Sequence, residues 1–328
     1  MIDKFISEKG PSWKPKTLSK YRACLDLCVD ILGTTRDAST IDKAAVRQIR
    51  DMLGKLTPNW TKVYPGLSLG DVIEAVIDNK NPPLSPKTAN AYLISLSSLL
   101  TWAGKQGYVN DNPVNGMLYT DHVKNKDKRD PFSPDDLNRI FSAPIFTGMK
   151  SDRNWTEPGD IINRNNRFWV PLIALFTGMR VSEIINLTNS DFTIEEGINR
   201  LIVRESKTDA GIRSVPIHPK LVEAGLLDYV ASLNPEQPLF KDVSSDAYSK
   251  HFGRLLDSVG ITDKKLVFHS FRHTFTDALR AAKVAEPIAK ALIGHSGGSV
   301  TSQYGSGYPL EVLYGDLKQI NYHGLILP

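Results

Sequence analysis

The sequence predicts a mainly helical protein with one small β-hairpin, an α+β fold divided into two domains. Its 328 residues exceed the size of one typical domain. Apolar residues recur every three or four positions through most of the chain, which is typical of amphipathic helices, whereas one short region alternates as strands do. The charge-rich segment DHVKNKDKR has no apolar periodicity. We therefore predict a linker over 121–130, between domains at 1–120 and 131–328.

The N-terminal domain is predicted to be entirely helical. Its apolar periodicity indicates helices over 17–33, 41–56, 69–79 and 85–107. The first of these ends at Gly33, a residue type common just beyond helices. The last begins with Ser85 as its N-cap and has Pro86 in its first turn.

The C-terminal domain is predicted to be helical around a hairpin. A helix begins at Ser133, with Asp136 placed to complete a capping box. RFWVPLIALFTG, at 167–178, is apolar on nearly all sides and predicts the central core helix. Alternating segments at 200–206 and 212–218 flank the turn-rich stretch KTDAG, which predicts a hairpin.

Composition excludes several classes of protein. The apolar fraction of 41% and charged fraction of 23% are ordinary for a globular protein. No apolar run is long enough to span a membrane, and the N-terminus lacks the apolar core of a secretory signal. Cys24 and Cys28 are interpreted as reduced thiols, so we expect a cytoplasmic protein. Neither metal-spaced Cys and His nor a phosphate-binding glycine loop is present, so we expect no metal and no cofactor.

Charge is unevenly distributed along the chain. Residues 1–129 carry 19 Lys and Arg against 13 Asp and Glu, whereas the remainder carries 21 against 23. The basic excess is therefore N-terminal. Such an excess favours a domain that binds a polyanion, although a solvated surface of modest imbalance explains the charge equally well.

Several polar residues are not explained by the folding pattern. The stretch GHSGGSVTSQYG places a histidine and a tyrosine nine residues apart among small and hydroxyl residues that cannot form a core. Other unexplained cationic and imidazole groups follow the core helix, occupy the hairpin tip and share one helical face. The complete set is Arg180, Lys207, His269, Arg272, His295 and Tyr304.

Together these residues can perform phosphoryl transfer. Two arginines can hold the non-bridging oxygens of a phosphodiester, and histidines can hydrogen-bond the same centre as its charge grows. Tyr304 would then attack phosphorus, with His269 accepting its proton. The 5′ oxygen leaves more readily when protonated, which the ammonium of Lys207 at the hairpin tip can do. This chemistry requires no metal.

The motifs that carry these residues resemble those of the tyrosine recombinases, the phage integrase family. The four motifs are LFTGMRVSEIINL, ESKTDAGIRSVPIH, HSFRHTF and LIGHSGGSVTSQYG. The resemblance implies that Tyr304 is the nucleophile, that the other five residues activate the phosphate, and that Glu183 supports the site. The N-terminal domain resembles the helical core-binding domain of the family. The C-terminal domain resembles its catalytic domain. Gly211 departs from the family, which often has a hydroxyl residue there.

The resemblance also implies the partners and the reaction. We expect double-stranded DNA at specific attachment sites and a homotetrameric synaptic complex, with a directionality factor as an optional partner and no membrane. Strand cleavage would proceed through a 3′-phosphotyrosyl intermediate. The segment TPNWTKVYPGLSL and the insertion MKSDRNWTEPGDIINRNNR resemble those of integrases from prophages or genomic islands. Because no arm-binding domain is expected before residue 1, two-site bridging of DNA is not expected.

Two other functions and two tail arrangements remain open at this stage. A catalytically inactive DNA-binding protein or a type IB topoisomerase could be built on the same scaffold. Leu310, Leu313, Leu317 and Ile320 form a narrow apolar seam on one predicted helix. This tail either folds onto its own domain or, as the resemblance implies, docks on a neighbouring subunit. We predict that deletion of residues 309–328 leaves half-site DNA binding intact but prevents assembly of a four-subunit synapse.

Overall fold

The computed structural model of the chain confirms a mainly helical α+β protein. It describes residues 1–121, 129–206, 211–235, 237–295 and 307–328. The chain divides into two compact units, Met1–Lys124 and Asn125–Pro328. We refer to these as the N-terminal unit and the C-terminal unit.

The N-terminal unit is helical throughout its regular structure. Its helices are α1 (Ile2–Lys9), α2 (Pro15–Leu32), α3 (Lys43–Lys55), α4 (Trp60–Val63), α5 (Leu69–Asp78) and α6 (Pro86–Lys105). The four helices predicted from periodicity correspond to α2, α3, α5 and α6, each within a few residues of its predicted ends. Ser85 caps α6 as predicted, because its side chain accepts a hydrogen bond from the Thr88 amide. Helices α1 and α4 were not predicted, since α4 is a single turn and α1 buries only Phe5.

The core of the N-terminal unit is built from the apolar faces of these helices. Leu27, Val46, Leu53 and Leu93 are buried together in one cluster, and Phe5 and Trp102 belong to a second cluster at the α1 end. Both cysteines lie buried in this unit with free thiols, as the sequence predicts. Burial raises the pKa of the Cys28 thiol to about 12. This thiol is therefore a packing group and not a reactive one.

The C-terminal unit surrounds one buried helix. Its helices before the sheet are α7 (Pro134–Phe141), α8 (Pro144–Thr147), α9 (Asn166–Thr177) and α10 (Val181–Ile185). Those after the sheet are α11 (Pro219–Glu223), α12 (Leu226–Ala231), α13 (Ser245–Ser258), α14 (Ser270–Ala281), α15 (Glu286–Ile293) and α16 (Leu310–Leu317). Every residue of α9 from Phe168 to Thr177 is buried, which confirms the predicted core helix. The predicted capping box at Ser133 and Asp136 is also present.

The sheet has three antiparallel strands where the sequence predicted two. They are β1 (Phe192–Glu195), β2 (Ile198–Val203) and β3 (Arg213–Pro216), in the order β1-β2-β3. The predicted hairpin is the β2–β3 pair, with Leu201 opposite Val215. Strand β1 joins β2 through Glu196 and Gly197, both with positive φ, a conformation typical of a tight hairpin turn. The short, half-exposed β1 gave too little alternation to be predicted.

In this structure of a single chain the C-terminal tail packs on its own unit, which is one of the two arrangements that the sequence left open. The seam residues Leu313, Leu317 and Ile320 are buried in one cluster with Phe275 and Leu292, from α14 and α15. Beyond the helix, the hydroxyl of Tyr322 donates a hydrogen bond to the Leu175 carbonyl at 2.6 Å. The apolar seam is satisfied within the chain, because α14 and α15 present the matching apolar surface.

Helices in the described ranges are all too short or too polar to cross a membrane.

Candidate active site

A tight turn at the end of α9 delivers the first candidate arginine. Gly178 ends the helix with φ of +61°, and a Cβ at this position would lie 2.5 Å from the Phe275 ring. Only glycine satisfies both constraints, the left-handed backbone and the close approach. The turn makes Arg180 the N-cap residue of α10. Its side chain leaves the core at this turn and remains 24% exposed.

Glu183 holds Arg180 in place. The Arg180 amide donates to Glu183 Oε2 at 3.0 Å, and Arg180 Nη1 donates to Glu183 Oε1 at 2.5 Å. The Ser206 hydroxyl, at the end of the β2 arm, donates to the same Glu183 Oε1 at 2.8 Å. This carboxylate is nearly inaccessible, with 1% of its side chain exposed. Glu183 therefore fixes the first arginine against the hairpin, and its supporting role in catalysis stays a prediction.

The charge of Glu183 is maintained despite its burial. Burial alone would raise the pKa of this carboxyl. The charge of Arg213 and hydrogen bonds from the Arg180 amide, Ser206 and the Arg180 side chain outweigh burial and hold the pKa below its ordinary value. Glu183 is thus an ionised carboxylate at neutral pH.

Arg272 lies behind the same turn. It is on the first turn of α14, 7% exposed, and its Nη1 donates to the Gly178 carbonyl at 2.9 Å. Its Nη2 is buried and has no hydrogen-bond partner within the described ranges. Burial and the nearby charges of Arg180 and Arg213 lower the pKa of Arg272 to about 9. A buried donor without a partner, next to other cations, fits an anionic ligand.

His269 is the N-cap residue of the same helix, so the predicted sharing of a helix face by His269 and Arg272 is observed at its start. The pKa of the His269 imidazole is lowered to about 4, mainly by partial burial and further by the nearby positive charges of His273, Arg272 and Arg180. The ring is therefore neutral at pH 7 and carries a nitrogen lone pair that can accept a proton.

His295 is described, but two of the predicted residues are not. Gly294 ends α15 with φ of +69°, and the His295 amide donates to the Lys290 carbonyl at 3.0 Å, so His295 follows the helix end as predicted. Its residue surface is exposed. Lys207 and Tyr304 lie outside the described residues. Their placement in the site stays a prediction.

Arg213 is part of this cluster and was missed by the sequence analysis. It opens β3, its side chain is 7% exposed, and its Nη2 lies 3.4 Å from Glu183 Oε2. A signal for it existed in the stretch IRSVPIH. Side chains two residues apart in a strand point to the same face. Val215 and Ile217 are both buried, so Arg213 also points to the inward face. An inward arginine in an otherwise apolar alternation requires a buried partner.

The arrangement concentrates positive charge at one point. The guanidinium groups of Arg180, Arg213 and Arg272 lie around the single carboxylate of Glu183 and influence one another electrostatically. The positive charges of the three arginines outnumber the one negative charge of Glu183, so binding of an anion at the partly exposed Arg180 is favoured. Because arginine forks match the oxygens of a phosphate, the cluster is suited to hold a phosphodiester.

In the part of the chain that the structure describes, no group of three or more His, Cys, Asp or Glu side chains is placed to hold a metal ion.

Sequence comparisons show what the C-terminal unit is similar to. Residues 163–308 match the profile described as the phage integrase family. The tyrosine recombinase XerD of Halalkalibacterium halodurans is 32% identical over 184 residues, which cover 52% of this chain and 59% of that protein. A tyrosine recombinase of Pseudothermotoga lettingae is 31% identical over 147 residues, which cover 43% of this chain and 50% of that protein. The chain thus spans only half to three fifths of the length of these relatives.

Comparison with solved structures shows the fold. A λ integrase fragment, residues 75–356, solved as a dimer bound to a COC′ core site, superposes with a TM-score of 0.58 at 21% identity. The match covers 92% of each chain. The chain therefore shares the fold of that integrase fragment.

Proposed function

We propose that this chain, whose residues 163–308 match the phage integrase family, is a tyrosine recombinase: a site-specific DNA recombinase that cleaves and rejoins strands through a 3′-phosphotyrosyl intermediate. The observation that carries the proposal is the arrangement of Arg180 and Arg272 around one turn, with Glu183 fixing the first and a buried, unpartnered Nη2 on the second. The described ranges contain no protein acceptor for that donor.

The two arginines would bind the scissile phosphate. Their guanidinium groups supply donors to both non-bridging oxygens, whose negative charge grows in the pentacoordinate transition state. Arg272 is held by the Gly178 carbonyl and Arg180 by Glu183, so both are positioned before the substrate arrives. Such preorganised donors stabilise the transition state because they need no rearrangement during the reaction.

Tyr304 would then attack. Its phenolic oxygen forms a bond to phosphorus while the bond from phosphorus to the 5′ oxygen of the next nucleotide breaks. The phenolic proton passes to the neutral imidazole of His269, and Lys207 protonates the departing 5′ oxygen. His295 would hydrogen-bond the phosphate. Attack of a 5′ hydroxyl from a second strand reverses these steps and rejoins the DNA. The roles of Lys207 and Tyr304 rest on their sequence motifs alone.

The N-terminal unit would bind duplex DNA next to the cleavage point. It carries the basic excess of the chain, and Lys20, Lys43, Arg47 and Lys87 are all exposed on it. Contacts of this kind release counterions from the DNA backbone and make binding salt-dependent. We propose that four subunits assemble on two such sites to integrate or excise a mobile element, with a directionality factor as an optional partner.

Two other functions are open to a protein with this fold, and the cleavage experiment described below distinguishes them from a recombinase. A non-catalytic DNA-binding protein would bind its site without forming a covalent bond, and a type IB topoisomerase would cleave without choosing a site. The buried, unpartnered Nη2 of Arg272 indicates an anion-binding pocket, and formation of a covalent adduct is what distinguishes catalysis from simple binding there.

A trapped cleavage reaction tests the proposal. Duplexes that bind the protein are first selected from a random library, and the consensus is then synthesised with a nick beside each candidate cleavage position. After cleavage the short fragment that carries the new 5′ hydroxyl dissociates, so the strand cannot be rejoined and the protein stays attached through the 3′ phosphate. We expect a covalent adduct on a denaturing gel with the selected site and little with a scrambled one. Binding without any adduct would indicate the non-catalytic protein, and equal adduct on scrambled DNA the topoisomerase.

A further inference from the structure

Arg213 connects three segments that the proposed mechanism uses. Its Nε donates to the Leu292 carbonyl at 2.8 Å, and its Nη1 donates to the Gly211 carbonyl at 2.7 Å. Its Nη2 faces Glu183 Oε2 at 3.4 Å. One guanidinium therefore touches the anchor of Arg180, the β3 arm of the hairpin and the last turn of α15.

The contact with α15 extends to Gly294. A Cβ built on Gly294 would lie 2.6 Å from Arg213 Nη1 and 2.9 Å from its Cζ, so the glycine backbone packs directly on the guanidinium. Gly294 also has φ of +69°, which side chains rarely adopt. His295 is the next residue. The course of the chain into His295 is thus set by Arg213.

We infer that Arg213 is a positioning residue that fixes the Leu292–His295 segment to Glu183, and so holds His295 in register with Arg180. This inference rests on the proposed function. Arg213 is too enclosed to bind DNA itself, because its side chain is 7% exposed and all three nitrogens are directed at protein acceptors.

The shape of the arginine head group explains why lysine could not replace it. Three acceptors lie around one planar group, and the fork of guanidinium donors reaches all of them at once. A lysine ammonium is a compact charge on a flexible stem. It could remain near Glu183 but would leave the Leu292 and Gly211 carbonyls without their donors.

Single-turnover cleavage of the selected, nicked duplex at saturating protein tests this role. We expect Arg213→Lys and Arg213→Gln to slow adduct formation by about ten- to a hundredfold, because displacement of a reacting group by about 1 Å has effects of that size. The dissociation constant for the same duplex should stay within about threefold, since Arg213 makes no DNA contact. A slow step at unchanged affinity is a result that general loss of structure does not produce.

Arg164→Gln is the matched control. Arg164 also donates to a backbone carbonyl, that of Ala224, and stacks on Phe168, but it lies outside the cluster. We expect this variant to melt earlier and yet to cleave at the wild-type rate once bound. If it slows cleavage as much as Arg213→Gln does, Arg213 has no special role.

Gly294→Ala perturbs the same contact from the other side and covers the case in which the Arg213 variants do not fold. The added methyl group must push the guanidinium away, so cleavage should slow while Arg213 is still present. In the double variant Gly294→Ala with Arg213→Lys, the two effects should not add, because both break one contact. Fully additive effects would overturn the inference.

A substrate with sulfur at the 5′ bridging position distinguishes a defect in proton donation by Lys207, on the hairpin, from a defect in the position of His295, after α15. Sulfur leaves without a proton, so it restores cleavage where proton donation by Lys207 is lost. We expect it to rescue Lys207→Ala but not Arg213→Gln, since the defect lies at His295. Full rescue of Arg213→Gln would overturn that assignment. Wild-type protein that forms no adduct at all would instead refute the proposed function.

Discussion

The two units of the chain differ in what they bury. The polar side chains buried in the described part of the N-terminal unit are Thr57 and Ser95, both uncharged. The C-terminal unit buries Glu183, Asp191 and Arg272 as well as His218. Burying charge costs free energy unless partners compensate. The buried polar residues in the described part of the N-terminal unit are thus uncharged, whereas the C-terminal unit buries the charges of Glu183 and Arg272 where we propose that chemistry occurs.

The largest expected effect is loss of the nucleophile. Tyr304→Phe should abolish covalent adduct on the nicked duplex while DNA affinity stays within about threefold, because one hydroxyl contributes little to a large electrostatic interface. Denaturing gels and native binding assays measure the two quantities. Tyr322→Phe is the control, since its hydroxyl serves only the Leu175 carbonyl. Adduct that persists in Tyr304→Phe would exclude Tyr304 as the nucleophile.

The second effect compares a buried charge of one unit with a buried apolar group of the other. Arg272→Ala should slow cleavage at least about a hundredfold, the scale for losing one preorganised donor to a transition-state oxyanion. Leu93→Ala, fully buried in the N-terminal unit, should cost about 2–5 kcal/mol of stability and leave the cleavage rate of bound protein unchanged. Single-turnover kinetics and urea denaturation test both. Similar kinetic losses from both variants would remove the contrast between the units.

The smallest effect is an acid instability confined to the C-terminal unit. Burial, with Arg167 and Arg254, lowers the pKa of His251 to about 4. The folded state therefore binds fewer protons than the unfolded state between pH 6.5 and 4, and stability is lost as pH falls through that window. At pH 5 we expect about 1 kcal/mol of the loss to come from His251, a value reduced for solvent screening because the residue is partly exposed.

Replacement of His251 tests this linkage. His251→Phe keeps a ring against Trp155 and Tyr248 and should flatten the fall in urea midpoint between pH 7 and pH 5. His323→Gln, at an exposed position, is the matched control for loss of a histidine. An unchanged pH dependence in His251→Phe would show that the acid instability arises elsewhere.

Local sequence signals predicted more of the fold than of the connections within the site. The helix caps at Ser85 and Ser133 and the buried helix α9 follow from local periodicity and side-chain chemistry. Arg180 and Arg272 were identified by the chemistry of their motifs. Arg213 was missed because its partners are the Leu292 and Gly211 carbonyls and Glu183, and only the folded chain brings these together.

The tail shows the opposite limit of sequence reasoning. Periodicity identified the apolar seam of Leu313, Leu317 and Ile320 but could not say which surface covers it. The answer depends on α14 and α15, whose own apolar faces meet the seam inside the same unit. Amphipathic patterns specify that a face needs a partner. They do not specify which partner.

We propose that Tyr304 becomes covalently joined to DNA. The most direct test is mass spectrometry of the trapped adduct after digestion with protease and nuclease. We predict a nucleotide remnant attached through a 3′ phosphate to the peptide that contains Tyr304. A remnant on any other residue, or an adduct-free protein that still binds its selected site, would contradict the account.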